Sequence, residues 1–158
     1  MIKILIADDH LIIRQGLRLI LETENDFELI GEASDGNEAV SLCKKLKPDV
    51  VLMDLRMPNM DGLSAIEKLR DEQPQIAVVI LTTFNEDELM LRGLQAGARG
   101  YLLKDTDRNT LFDTIRAAAR GETLLKPEIM ARVLAQANVS STIEPKTNNL
   151  VNLTEREQ

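Results

Sequence analysis

Five short apolar runs alternate with longer segments of helical periodicity, and this alternation is the feature that most limits how the chain can fold. The runs are apolar almost throughout rather than at every second position, which is typical of strands covered on both faces. Alternating strands and helices build a parallel sheet with right-handed crossovers. The pattern therefore predicts an α/β doubly wound parallel sheet. The runs occupy residues 2–7, 27–33, 49–53, 77–81 and 99–103.

Segments with the spacing of an amphipathic helix follow these runs. In residues 10–24, for example, Ile13, Leu17 and Ile20 recur on one helix face. Proline or glycine marks the end of several segments, because proline disfavours helix in the residue before it and glycine suits the left-handed conformation at a helix end. The other predicted helices lie between Asp35 and Pro48, through Ile66 and Leu69, over 86–96 and over 107–120.

The chain changes character after residue 121. Residues 122–137 contain a proline followed by helical spacing and predict one further helix. Residues 138–152 are polar and aperiodic, which is typical of a linker. In residues 153–158, Thr154 and Glu157 fit the capping box that opens a helix. We therefore expect this last stretch to be the start of a further domain.

Composition excludes several classes of protein. The apolar fraction of 44% is that of a globular protein, and the net charge of −7 disfavours bulk binding to nucleic acid by this chain alone. A single Cys and a single His exclude a disulfide framework, a cysteine zinc site and a multi-histidine metal site. The sequence contains no apolar run near the ~18 residues of a membrane span and no signal-peptide layout. We expect a cytoplasmic protein.

Polar residues collect where the predicted strands end. Asp8 and Asp9 follow the first run, Asp54 the third, Thr82 the fourth and Lys104 the fifth. In a doubly wound sheet these ends share one edge, which is where ligands bind. An aspartate in such a place often only caps a helix, but capping needs neither a doubled Asp nor a lysine. Clustered carboxylates repel one another, and a hard divalent cation such as Mg²⁺ relieves that repulsion.

At these positions the sequence resembles the receiver domain of two-component response regulators. The resemblance covers residues 2 to about 121 and implies a flavodoxin-like sheet of order 2-1-3-4-5, as in CheY. The matching segments are Ile-Ala-Asp-Asp-His at 6–10, Asp-Val-Val-Leu-Met-Asp-Leu-Arg-Met-Pro at 49–58, Met-Asp-Gly at 60–62, Leu-Thr-Thr at 81–83 and Gly-Tyr-Leu-Leu-Lys at 100–104.

The resemblance implies a function for the strand-end residues. Asp54 would accept a phosphoryl group from a sensor histidine kinase, and Thr82 and Lys104 would bind that group. Tyr101 would be an aromatic switch that turns inward when Thr82 moves to the phosphate. The domain would be a signalling module and not an enzyme, with only its own phosphorylation and dephosphorylation chemistry.

The resemblance also implies the metal ligands. Asp9 and Asp54 would bind Mg²⁺ or Mn²⁺ directly, Asp8 would act largely through water, and the backbone carbonyl of Arg56 would complete the protein ligands. One position departs from the pattern, since many receivers have a cis proline after the lysine and this chain has Asp105. A cis bond without proline costs about 3–4 kcal/mol, so we expect a trans bond and a more mobile Lys104.

Three segments are similar to the NarL/FixJ group of regulators: Asp-Asp-His at 8–10, residues 96–105, and Leu-Thr-Glu-Arg-Glu at 153–157. In that group the last motif opens a LuxR-type helix-turn-helix domain. The predicted organisation is a receiver at 1–121, an extra helix at 122–137, a linker at 138–152 and the start of a truncated DNA-binding domain at 153–158.

The partners implied are a kinase, DNA through the absent domain, and a second copy of the chain on phosphorylation. The kinase would contact the loop 56–62 and the first helix around residues 12–15. The dimer face would lie on helices one and five, with Thr110, Ile115 and Ala118, or on helices four and five. The sequence favours neither face.

Three other functions are weaker. An aspartyl-phosphate hydrolase usually carries Asp-x-Asp on its first strand and a cap insertion, and this chain has adjacent aspartates followed by His10. A free-standing receiver would not need Leu-Thr-Glu-Arg-Glu at its end. A nucleotide- or flavin-binding protein would need glycines after the first strand, which are absent there.

Overall fold

The computed structural model describes residues 1–83 and 87–123, together with residues 131, 134 and 135. Residues Met1–Leu125 form one compact unit. The predicted linker at 138–152 and the predicted domain start at 153–158 lie outside the described residues, as does most of the predicted extra helix. Within the described part of the chain, no helix has the length and apolar character needed to cross a membrane.

The unit is a parallel sheet of five strands with the order β2-β1-β3-β4-β5. This confirms the predicted flavodoxin-like fold, and every strand lies within one residue of its predicted bounds. The strands are β1 (Ile2–Ala7), β2 (Phe27–Ala33), β3 (Val50–Asp54), β4 (Ala77–Thr82) and β5 (Gly100–Leu103). The helices are α1 (Leu11–Leu21), α2 (Gly36–Leu46), α3 (Gly62–Glu72), α4 (Asp87–Gln95) and α5 (Arg108–Ala119).

The strands differ in how fully they are buried. Every residue of β3 and β4 is buried, as predicted for strands with helices on both faces. The expectation is wrong for β2, where only Phe27 and Ala33 are buried. Edge position alone does not explain the difference, because β5 lies at the other edge of the sheet and three of its four residues are buried. The composition of β2 does differ, since this strand contains the charged Glu28 and Glu32.

One large apolar cluster joins the sheet to α5 and α1. In it, Phe112 packs edge-to-face against Phe27 with ring centroids 5.5 Å apart. Ile115 and Ala118 are 0% and 2% exposed and belong to the same cluster. The prediction that these two residues form part of a dimer face is therefore wrong, because helical periodicity does not say which side of a helix meets the sheet.

Three helices begin at an aspartate whose side chain accepts a hydrogen bond from the backbone N–H three residues later. These aspartates are Asp35, Asp61 and Asp107, which begin α2, α3 and α5. The helix α1 differs, since its N-cap is His10 and the His10 side chain makes no capping hydrogen bond. Asp9 is therefore not the N-cap of α1, which favours the site interpretation of this residue.

Two helical glycines are expected to respond to alanine in opposite directions. A Cβ at Gly62 would lie 2.1 Å from the Asp54 backbone oxygen, whereas a Cβ at Gly16 would have nothing within 4 Å. We expect Gly62→Ala to lower the free energy of unfolding by about 3 kcal/mol, because backbone must move. Gly16→Ala should raise it by about 1 kcal/mol, the difference in helix propensity. Urea denaturation measures both, and equal effects would contradict the assigned geometry.

Candidate functional site

Three carboxylates meet at the carboxyl edge of the sheet. Asp8 follows β1 and Asp54 ends β3, and the two strands are neighbours, with Ala7 paired to Met53. One ligand atom from each of Asp8, Asp9, His10 and Asp54 can be chosen so that all lie within 4.8 Å of one another. The aspartates predicted from the strand ends are thus brought together.

Lys104 reaches this group from the end of β5. Its Nζ lies 2.9 Å from Asp8 Oδ2 and 3.1 Å from Asp54 Oδ2, so one ammonium bridges two buried carboxylates. The lysine side chain is only 15% exposed. Because β5 lies two strands away from β3, the lysine must extend past the end of β4 to make these contacts.

Thr82 and Tyr101 lie on β4 and β5, the two strands that follow β3 across the sheet. Thr82 ends β4, is buried, and its backbone oxygen accepts a hydrogen bond of 2.9 Å from the Lys104 N–H. Tyr101 lies on β5, opposite Ile80 in the register, and its side chain is buried at 1% exposure. Thr82 therefore stands at a strand end between those of Asp54 and Lys104, whereas Tyr101 lies within β5, three residues before Lys104.

The protonation equilibria reflect burial and crowding. Burial raises the pKa of Asp54, as does the charge of Asp8, and the neighbouring Lys104 only partly offsets these effects. Burial alone would lower the pKa of Lys104, but hydrogen bonds and charges from Asp8 and Asp54 outweigh burial and raise it. The lysine therefore stays charged. Its single positive charge does not balance the three carboxylates at the strand ends.

The loop after β3 is fixed by three hydrogen bonds. The Gly36 N–H donates to the Met60 carbonyl at 2.8 Å, the Gly62 N–H donates to the Leu55 carbonyl at 3.0 Å, and the Asn59 side-chain amide donates to Asp35. Asn59 has φ 67°, in the left-handed region that asparagine tolerates. At the start of this loop the Arg56 N–H donates to Asp54 Oδ1 at 3.3 Å.

The donor set fits a hard divalent cation. Carboxylate oxygens are the ligands that Mg²⁺ and Mn²⁺ prefer, and only a few protein ligands are present, which suits an ion that keeps several waters. The uncompensated negative charge at the strand ends favours the same kind of ion. The cluster of Asp8, Asp9 and Asp54 could therefore bind a metal.

His10 opens the first helix beside the acidic site, which is the position that the sequence indicates for it. It is the N-cap residue of α1, and its backbone N–H donates to Asp8 Oδ1 at 2.8 Å. In addition its Nδ1 lies 3.2 Å from Asp8 Oδ1 and 3.1 Å from Asp9 Oδ1, although the ring is 65% exposed. The sequence indicates this contact, because His10 directly follows Asp8 and Asp9.

The Lys104–Asp105 peptide bond is trans, since the described residues contain no cis peptide. This confirms the conformation expected from the absence of proline. The predicted mobility of Lys104 stays a prediction.

Comparisons with known proteins agree with this geometry. The family model described as the response regulator receiver domain matches residues 4–116. The transcriptional regulatory protein YdfI of Bacillus subtilis is 48% identical over 155 residues, which cover 98% of this chain and 71% of that protein. The response regulator protein VraR of Staphylococcus aureus is 41% identical over 132 residues, which cover 84% of this chain and 63% of VraR.

The solved structures agree as well. The crystal structure of a LuxR-family two-component response regulator from Aurantimonas sp. superposes with a TM-score of 0.81 at 30% identity, over 87% of this chain and 99% of that one. The chain thus spans a whole solved structure in this case but only about two thirds of its curated relatives.

Proposed function

The chain belongs to the response regulator receiver domain family, a signalling domain of two-component systems, and on that premise we propose that Asp54 accepts a phosphoryl group from a sensor histidine kinase. One observation carries the proposal: the Lys104 ammonium bridges Asp8 and Asp54 at the strand edge where three carboxylates meet. A capping or purely structural aspartate would not need this arrangement.

The transfer exchanges one bond to phosphorus for another. A carboxylate oxygen of Asp54 attacks the phosphorus in line, the new oxygen–phosphorus bond forms, and the phosphorus–nitrogen bond of the kinase phosphohistidine breaks. The electron pair stays on the histidine nitrogen. Such transfers depend mainly on positioning and on neutralising the charge of the phosphoryl oxygens. Lys104 supplies an ammonium and Thr82 a hydroxyl for that purpose. Water later hydrolyses the acyl phosphate.

Asp9 and Asp54 would bind Mg²⁺ or Mn²⁺ directly, together with the Arg56 carbonyl, and Asp8 would act through water. When bound, the ion would neutralise charge on the phosphoryl oxygens. Two observations support this assignment: the chosen ligand atoms of the cluster lie within 4.8 Å of one another, and Asp9 is not used as a helix cap.

Thr82 and Tyr101 would report the modification to the rest of the domain. Thr82 would move towards the phosphoryl group, and Tyr101 would occupy the space beside it. The backbone hydrogen bond between Thr82 and Lys104 supports the coupling, whereas Tyr101 is already buried at 1% exposure in this structure, so its burial does not itself support an inward turn.

Phosphorylation of the chain should depend strictly on a divalent cation. Incubation with Mg²⁺ and a small acyl-phosphate donor is expected to add the mass of one phosphoryl group, because Asp54 is the only predicted acceptor. Chelation of the ion before donor addition should prevent this, which intact mass spectrometry measures. Sustained turnover of phosphomonoesters without stable labelling would instead favour the hydrolase alternative.

The intact protein would be a transcription factor that this receiver controls. One curated relative, YdfI, is named a transcriptional regulatory protein, and the chain spans 71% of its length. We propose that DNA binding resides in a LuxR-type domain following residue 153 and that phosphorylation of Asp54 regulates it. The net charge of −7 argues against DNA binding by residues 1–158 alone.

Phosphorylation would promote homodimerisation through α1. Ile12 and Leu19 lie on the same stripe of this helix and are 80% and 69% exposed, with the open Gly16 between them. The large hydrophobic side chains of α4 and α5 that are described are not exposed in this way. This difference favours α1 over the surface of helices four and five.

Ile12→Glu is therefore expected to keep the phosphorylated chain monomeric, because a charge in an apolar interface must be desolvated. Light scattering after size-exclusion chromatography measures the mass. Labelling by the small donor should be unchanged and serves as the control. A variant that still dimerises would move the interface to helices four and five.

A further inference from the structure

Two arginines on α1 share a single carboxylate on the edge strand β2. Arg14 Nε lies 3.1 Å from Glu32 Oε1, and Arg18 donates to Glu32 Oε2 through Nε at 2.9 Å and also through Nη2. The arginines are four residues apart and so occupy the same face of α1. The three side chains thus tie the first helix to the sheet.

The Arg14–Glu32 pair is largely buried and ionised. The Arg14 and Glu32 side chains are 15% and 20% exposed. Burial raises the pKa of Glu32, but hydrogen bonds from Arg18 and Arg14 outweigh it and bring the pKa below its usual range. Glu32 therefore stays ionised at neutral pH and anchors both guanidinium groups.

The two arginines differ in one contact. Arg14 uses its remaining edge to donate from Nη1 to the backbone carbonyl of Asp8 at 2.5 Å, and no such contact is present for Arg18 among the described residues. Arg14 thus joins Glu32 to the acidic site, whereas Arg18 supports Glu32 alone and makes a longer pair with Glu22 at 3.7 Å.

The Asp8 carbonyl belongs to the peptide that links Asp8 to Asp9. On its other side, the Asp8 N–H donates to the Ala33 carbonyl of β2 at 3.0 Å. Both backbone polar groups of Asp8 are therefore fixed, one by β2 directly and one by β2 through Glu32 and Arg14. The plane of the following peptide determines where the chain continues and hence where the Asp9 carboxylate lies.

We propose that Arg14, oriented by Glu32, is a positioning residue that fixes the Asp8–Asp9 peptide and thereby the metal-binding carboxylate of Asp9. The inference rests on the proposed function, since it assumes that Asp9 binds a divalent cation. Arg14 touches neither the ion nor the phosphoryl group in this account. Its role is comparable to that of outer-shell partners that orient metal ligands.

The direction in which the Kd for Mg²⁺ changes distinguishes a positioning role from a purely electrostatic one. Arg14→Met removes a positive charge near a cation site, which by charge alone would tighten Mg²⁺ binding. Loss of positioning acts the other way, and we expect the Kd for Mg²⁺, measured by isothermal titration calorimetry, to rise about tenfold. Arg18→Met is the matched control, because it also removes a charge from Glu32 but makes no contact with Asp8, and its Kd should not rise.

Urea denaturation shows whether a weaker Mg²⁺ affinity reflects a general loss of stability. Both arginine variants should lose a similar free energy of unfolding, so a change in Kd in Arg14→Met alone would be a local effect. If Arg14→Met does not fold, Arg14→Lys decides, because one ammonium lacks the planar fork that spans Glu32 and the Asp8 carbonyl. That variant should also bind Mg²⁺ more weakly. Wild-type affinity in the folded Arg14 variants, or an equal loss in Arg18→Met, would overturn the proposal. Absence of Mg²⁺ binding by the wild-type chain would instead overturn the proposed function.

Discussion

Asp54→Asn is expected to abolish phosphorylation of the chain completely. The amide keeps the size and the buried position of the side chain, but its oxygen lacks the charge needed to attack phosphorus. Asp54 is the carboxylate that ends β3 and lies 3.1 Å from the Lys104 ammonium. Intact mass after incubation with Mg²⁺ and a small acyl-phosphate donor measures the outcome.

Asp49→Asn is the matched control for this variant. Asp49 lies at the opposite end of β3, where its carboxylate accepts a hydrogen bond from the Lys3 N–H. It should be phosphorylated like the wild-type chain. Undiminished phosphorylation of Asp54→Asn would contradict the assignment of the acceptor.

Lys104→Met should slow phosphorylation by about 10²–10³-fold, the usual effect of removing one group that stabilises transition-state charge. The ammonium lies within 3.1 Å of both Asp8 and Asp54, and methionine retains most of the aliphatic stem without the charge. Rate measurements at saturating Mg²⁺ separate this effect from metal binding. The Kd for Mg²⁺ should fall, because the carboxylates lose their competing cation.

A lysine on the surface provides the comparison. Lys44 forms an ion pair with Glu72 between α2 and α3, and its side chain is 56% exposed. The Lys44→Met variant should be phosphorylated at the wild-type rate. If Lys104→Met also keeps the wild-type rate, the lysine acts only to balance the buried carboxylates and its role in transfer is wrong.

The sheet and the strand-end residues could be predicted because they depend on local pattern and on topology. Uniformly apolar runs identify the strands, and alternation with helices fixes a parallel sheet, so the residues after each run must share an edge. Asp8, Asp54 and Lys104 follow from that logic alone. Their roles in phosphoryl transfer came only from the resemblance.

Contacts that depend on side-chain direction could not be predicted in this way. Arg14 reaches the Asp8 carbonyl only because α1 turns it towards Glu32, and neither residue belongs to a recognisable motif. The same limitation led to the wrong placement of Ile115 and Ala118 on the surface, since both pack against the sheet. The exposure of β2, by contrast, had a signal in the sequence, since this strand contains Glu28 and Glu32.

Mapping the modified residue in the wild-type chain tests whether Asp54 is the phospho-acceptor. Reduction of the phosphorylated protein with borohydride converts an aspartyl phosphate into homoserine, which peptide mass spectrometry locates. We expect one modified residue, Asp54, in the sample with Mg²⁺ and none in the chelated sample. Homoserine at Asp8 or Asp9 instead, or equal modification of Asp54 without a divalent cation, would contradict the assignment of Asp54.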